Sequence, residues 1–178
     1  MKNFIRVLLI TGALIFSINS NSYAIVDVSA FGGFTFSGDS AGTDFVGVPY
    51  GLKAHYNTSL IPMLEMGIGA YYQGAKIKLD KPSADWDATR QTLGLDFNLI
   101  LSLPIIHPYG RFTYGIWDKI KTDAGSDTEN YKAWGLGAGV ELTAVPFFRL
   151  FAEYYYDVTD HGEKMKSNSI LAGVKFDF

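Results

Sequence analysis

Three features of the sequence predict an all-β protein: an eight-stranded antiparallel up-and-down transmembrane β-barrel, preceded by a cleaved signal peptide. Period-two alternation of apolar and polar residues recurs in segments of about ten residues after residue 24, without helical periodicity. The connections between these segments alternate between short and long. Within the segments, every charge falls on one of the two strand faces.

The chain opens on a leader. Met1 to Ala24 combines a basic start (Lys2, Arg6), a 12-residue apolar run from Val7 to Ile18, and small residues at Ser22 and Ala24, the −3 and −1 places of a cleavage site. The run is short of the ~20 residues that span a bilayer as a helix. Cleavage after Ala24 leaves one domain, 25–178. Its net charge is −5 rather than −3, because the leader holds two bases and no acid. No basic stripe marks a nucleic-acid partner. With no cysteine there is no disulfide framework and no thiol chemistry. Abundant aromatics (13 Phe, 11 Tyr, 3 Trp) and 19 Gly in an exported chain point to β structure in a bacterial envelope.

The strands follow in order. The first, 25–37, turns Val26, Val28, Phe34 and Phe36 to one face. The second, 47–58, adds Val48, Tyr50, Leu52 and Tyr56, and the third, 63–74, adds Leu64, Met66, Ile68 and Tyr72. The fourth, 89–102, presents Leu93, Leu95, Phe97, Leu99 and Leu101, and the fifth, 107–117, presents Phe112, Tyr114 and Ile116. The sixth, 133–142, carries Trp134, Leu136, Val140 and Leu142. The seventh, 147–156, carries Phe148, Leu150, Tyr154 and Tyr156, and the eighth, 168–178, carries Ile170, Val174, Phe176 and Phe178. Each has about the 9–11 residues that a tilted strand needs to cross a bilayer, or slightly more. Pro62, Pro104 and Pro146 lie in the short connections 59–62, 103–106 and 143–146, where proline ends a ladder. The long connections, 38–46, 75–88, 118–132 and 157–167, hold twelve of the eighteen acids, with many lysines among them.

The opposite face carries Asp27, Lys53, Glu65, Arg90, Asp96, Arg111, Glu141, Arg149, Glu153, Lys175 and Asp177. Alternation alone does not say which face points outward, since a soluble barrel puts its apolar face inside. Three observations favour a membrane barrel with the apolar face on lipid. The polar face holds most strand glycines, which suit a crowded lumen. It also carries six acids against five bases, a balance that suits internal ion pairs. Aromatics such as Tyr56, Tyr72, Trp134, Tyr154, Tyr156 and Phe178 sit on the apolar face near strand ends, where membrane girdles belong.

The segments "YKAWGLGAGVEL" (131–142), "FFRLFAEYYYD" (147–157) and the closing "ILAGVKFDF" resemble the small eight-stranded outer-membrane barrels of the OmpA/OmpX type. The resemblance covers nearly the whole of 25–178 and implies a bacterial outer-membrane location. It implies that the last strand, through Val174, Phe176 and Phe178, is an assembly signal read by the barrel assembly machinery through strand addition. It further implies contact with outer-membrane lipids and lipopolysaccharide. The chain stops at the barrel, so no trailing peptidoglycan-binding domain is expected.

The most specific candidate site is the lumen. Lys53, Arg111, Arg149 and Lys175 are expected to pair with Glu65, Asp96, Glu141 and Glu153, forming a polar plug. The alternative is a narrow pore or a conduit for small solutes or hydrophobic molecules. Phe31, Tyr71, Tyr109, Trp117, Phe151, Tyr155 and Leu171 are expected to point inward, which favours blockage. "GLGAG" (135–139) lacks the spacing and context of a nucleotide loop. Asp123, Asp127 and Glu129 alternate as calcium ligands do, but Trp134 stands where the bidentate carboxylate is needed. A lipid-modifying envelope enzyme is the rival class, yet His55, His107 and His161 show no nucleophile–base pairing. No catalytic residue, metal site or cofactor is expected. The charged loops suit an envelope-integrity role or a surface ligand that the sequence does not name.

Overall fold

The structure, a computed structural model, describes residues 25–37, 44–80, 86–122, 125–127, 132–145, 148–160 and 164–178. The expected leader and loop residues such as Asp123, Glu129 and His161 lie outside them. The strands are β1 (Ile25–Phe36), β2 (Asp44–Ile61), β3 (Leu64–Asp80), β4 (Trp86–Leu101), β5 (Ile106–Thr122), β6 (Gly125–Asp127), β7 (Lys132–Val145), β8 (Phe148–Asp160) and β9 (Lys164–Asp177). Eight of them form a closed antiparallel ring, in which each pairs with its chain neighbour and β9 returns to β1. The three-residue β6 pairs back on the outer end of β5. The eight-stranded up-and-down barrel expected from the alternation is the fold.

The stagger of the ring sets its dimensions. A path through directly opposed residues leaves β1 at Phe36 and passes Asn168, Tyr156, Leu136, Phe112, Phe97, Ile68 and Tyr56. It returns to β1 at Val26, ten residues nearer the periplasmic end. Such a stagger over eight strands tilts them by about 40°. Each residue then climbs ~2.5 Å along the axis, and an apolar band of ~25 Å takes roughly ten residues. With 18 and 17 residues, β2 and β3 exceed that need. They and their neighbours continue past the outer rim as a ladder.

Past the rim the alternation inverts. The outward residues of β3 run Met66, Ile68, Ala70, Tyr72, and then Lys76 and Lys78. Its inward residues change from Tyr71 and Gln73 to Ala75 and Ile77. Phe45, Ala75, Ile77 and Ala88 form an apolar layer inside, with Ile120 and Met165 packed against it. At this height the surroundings are water, so an ordinary apolar interior replaces the polar lumen. Lys76, Lys78, Asp87, Lys119 and Lys121 therefore belong to strands, not to the loops in which their charge had placed them.

A β-bulge corrects one further expectation. Leu93 opposes Trp117 while Gly94 opposes Gly115, so Ile116 is an extra residue in β5. The insertion shifts the phase of the strand. Trp117 thus shares the outward face of Leu93 instead of entering the lumen, and Asp118, expected in a loop, is fully buried inside.

The outer wall in the membrane is apolar and exposed, with Leu52, Leu95, Leu99, Phe112, Leu136 and Leu150 each more than two-fifths accessible. Phe97 lies mid-strand on this wall, its ring 6.2 Å from Phe112. Phe97→Arg would put a charge into hydrocarbon near mid-depth. It is expected to lower folding stability by about 2–4 kcal/mol, measured by urea unfolding in phospholipid vesicles. A variant as stable as the parent would reverse the inside–outside assignment.

Candidate functional site

The lumen is organised by aromatic rings lying on glycines of the neighbouring strand. Phe31 opposes Gly51, Tyr71 opposes Gly94, Tyr109 opposes Gly139 and Phe151 opposes Gly173. Tyr155 opposes Gly137 and overhangs Gly135. A Cβ at Gly51 would stand 2.5 Å from the Phe31 ring, and one at Gly173 would stand 2.6 Å from Phe151. In so narrow a barrel only glycine lets a large ring lie flat along the wall. The "GLGAG" run is therefore a bed for Tyr155 and Tyr109.

Four of these rings clasp two bases. Lys53 Nζ sits 5.2 Å from the centre of Phe31 and 4.7 Å from that of Phe151. The Arg111 guanidinium sits 5.4 Å from Tyr71 and 4.9 Å from Tyr155. Away from water such cation–π contacts contribute about 2 kcal/mol or more.

Glu153 joins the two bases. Its carboxylate accepts from Lys53 Nζ at 2.8 Å, Arg111 Nη1 at 2.7 Å and the Tyr109 hydroxyl at 2.7 Å. Arg111 Nε donates to Asp96 at 2.8 Å. Asp96 lies 3.5 Å from His55 Nε2, and His55 Nδ1 lies 2.9 Å from Asp27. Asn57 donates to Asp27 at 2.6 Å, and Lys175 Nζ lies 3.2 Å from it. Lys175 donates to Glu141 at 2.9 Å, and Arg149 bridges Glu141 at 3.0 Å and Asp177 at 2.9 Å. These contacts form one unbroken chain from Lys53 at mid-barrel to Asp177 at the periplasmic mouth. It draws a ligand from each of β1, β2, β4, β5, β7, β8 and β9.

Of the residues grouped from the sequence, Lys53, Asp96, Arg111, Glu141, Arg149, Glu153 and Lys175 belong to this chain. Glu65 lies near the mouth, within electrostatic reach of Arg149, and accepts from the Ser102 hydroxyl at 2.6 Å. Sequence reasoning left out the links His55 and Asp27, although their inward parity was visible. It also missed a second cluster nearer the outer end. There Arg90 contacts Asp118 at 3.1 Å and Asp157 at 2.6 Å, and Thr92 donates to Asp118 at 2.9 Å. Asp118 was hidden by the bulge, and Asp157 by its place at a loop boundary.

Two small cavities lie among the described lumen residues. One cavity of about 10 Å³ lies among Ser29, Lys53, His55, Asn98, Tyr109 and Lys175. Another of about 10 Å³ lies between Arg90 and the apolar layer. Each has room for about one water. At the seam, Phe178 donates to the Val26 carbonyl at 2.8 Å and accepts from its amide at 3.2 Å. Val174 and Phe176 face outward on β9, and Phe178, just past its end, is 77% exposed.

A closed barrel with an apolar wall and a charged lumen suits one environment, and the comparisons agree. The family model described as "Outer membrane protein beta-barrel domain" matches residues 13–178. The chain belongs to this family.

The fold of this outer-membrane barrel is also that of several solved structures. Neisserial surface protein A (NspA) superposes with a TM-score of 0.63 at 20% identity, covering 86% of this chain and 97% of that one. Ail of Yersinia pestis, in complex with the heparin analogue sucrose octasulfate, gives 0.58 at 16%, covering 87% and 99%. The N-terminal β-barrel domain of Pseudomonas aeruginosa OprF gives 0.50 at 15%, covering 89% and 100%. At these identities the likeness is one of fold. No curated protein matches the sequence. The place of this outer-membrane barrel is the bacterial outer membrane.

Arg111 is the most deeply buried base of the lumen among the described residues, its side chain without exposed surface between Asp96 and Glu153. Arg111→Met takes the cation from Asp96 and leaves Glu153 with Lys53 alone, and is expected to cost about 3–5 kcal/mol. Arg149→Met, at the partly open mouth, is expected to cost less than half as much. Urea midpoints in vesicles check both, and equal losses would contradict the burial-based ranking.

Proposed function

We propose that this protein is a closed, non-conducting barrel that acts from its outer rim, in surface interaction or envelope integrity. The observation that carries this is the ion-paired lumen, in which the cavities hold about one water each. A permeating ion would have to part Lys53 and Arg111 from Glu153, contacts that both rings and carboxylates hold in place. The rim is where charge and strand extensions concentrate, and loops on a rigid scaffold are a common seat of recognition. Ail, a barrel of the same fold, has been crystallised with a sulfated ligand, which supports looking for anionic partners here. Lipopolysaccharide is the partner that shares the membrane.

The lumen residues act in this proposal as a structural plug, and the chain is not an enzyme. Val174, Phe176 and Phe178 form the segment offered to the assembly machinery, and 1–24 is the leader that brings the chain there. Purified protein in planar bilayers is expected to give no discrete conductance steps. Steps that persist from protein shown to be monomeric would favour the narrow-pore alternative. Deleting Phe178 removes a closing pair of backbone hydrogen bonds. It is expected to slow assembly in cells more than it lowers the urea midpoint of barrels refolded in vitro. Normal cellular assembly of the truncated chain would overturn the signal role.

A further inference from the structure

The outer wall carries a groove that neither the lumen nor the loops account for. It spans β1 to β4 just above the apolar band and encloses about 600 Å³ on the outside of the barrel. Phe34, Val46 and Val48 form its apolar side, each about half exposed. Lys76 and Lys78 form its basic side, with Asp87 at the edge. Val48 opposes Lys76, and Val46 opposes Lys78. At these rows β3 has already changed to charge, whereas β2 is still apolar.

The stagger of the ring orders these residues in height. Because opposed residues climb toward the outer end from β1 to β4, each strand lifts the row by ~3 Å. Phe34 is therefore lowest; within each row the lysine stands above the valine it opposes, Lys76 above Val48 and Lys78 above Val46. The low side is continuous with the lipid-facing wall, and the high side faces the headgroup region. The lysines are ~6.6 Å apart along one strand face, so both can reach one phosphorylated headgroup.

We infer that this groove is a binding site for a phosphorylated glycolipid of the outer leaflet. Its acyl chain lies against Phe34, Val46 and Val48, and its headgroup phosphate is held by Lys76 and Lys78. The occupant is chosen by charge complementarity above and by continuity with the hydrocarbon interface below. A free phosphate has no use for the apolar side, and an uncharged lipid has none for the lysines. The inference does not depend on the lumen being closed.

The test uses the full barrel in mixed micelles with deep-rough lipopolysaccharide as the probe, read by retention in native mass spectrometry. Lys76→Gln with Lys78→Gln is expected to weaken retention at least tenfold, since each lysine near an anionic surface contributes about fivefold. The same lipid stripped of its phosphates is expected to bind the parent barrel about as weakly as the intact lipid binds the double variant. Inorganic phosphate is expected neither to bind nor to compete at millimolar concentration. Lys132→Gln with Lys166→Gln, exposed on β7 and β9, serves as the control and is expected to keep retention within twofold. Equal retention by parent and β3 variant would overturn the site, as would equal losses from the β3 pair and the control pair. Both double changes are on the surface, and circular dichroism confirms the fold before retention is scored.

Discussion

A peptide group in hydrocarbon has no water to bond, and each unpaired N–H or C=O there costs several kcal/mol. Everything else in this structure follows from that constraint. A sheet that crosses lipid cannot keep an edge, so β9 must meet β1. Closure with eight strands makes the barrel too narrow for water to fill the interior. The inward side chains must then satisfy one another. The ion-pair chain from Lys53 to Asp177 is the consequence, not an added device.

The narrowness also explains a pairing of residue types that looks unrelated in the sequence. Rings and glycines are both abundant because each lumen ring needs a glycine beneath it. Phe31 and Phe151 reach inward over Gly51 and Gly173 and hold Lys53 between them. Tyr71 and Tyr155 do the same for Arg111 over Gly94 and Gly135. Packing and charge compensation are thus one arrangement. A ring without its glycine would push the base off its carboxylate.

Much of this was legible in the sequence, and the misses have physical causes. Period two assigned Lys53, Arg111, Glu153 and Lys175 to the inside because parity is preserved along an unbroken ladder. It failed at Trp117 because one inserted residue, Ile116, reverses parity beyond the bulge. It ended the strands too early because Lys76, Lys78 and Asp87 look like loop residues to a rule tuned to the bilayer. Above the rim the same ladder obeys the soluble rule, with Phe45 and Ile77 inside and the lysines outside. Partner choice in the lumen was not legible, since which carboxylate meets which base depends on the ten-residue stagger. Glu65, grouped with the bases, takes its hydrogen bond from Ser102 near the mouth and feels Arg149 only through its charge.

The central claim is that the middle of the barrel is closed to solvent by charges that compensate one another. Hydrogen exchange of the Arg111 side-chain Nε–H, followed by nuclear magnetic resonance in a lipid nanodisc, reads this most directly. That proton points at Asp96 from a side chain with no exposed surface. Protection lasting hours is the predicted result. Exchange at the rate of a free arginine would show that water reaches the mid-lumen and would contradict the account.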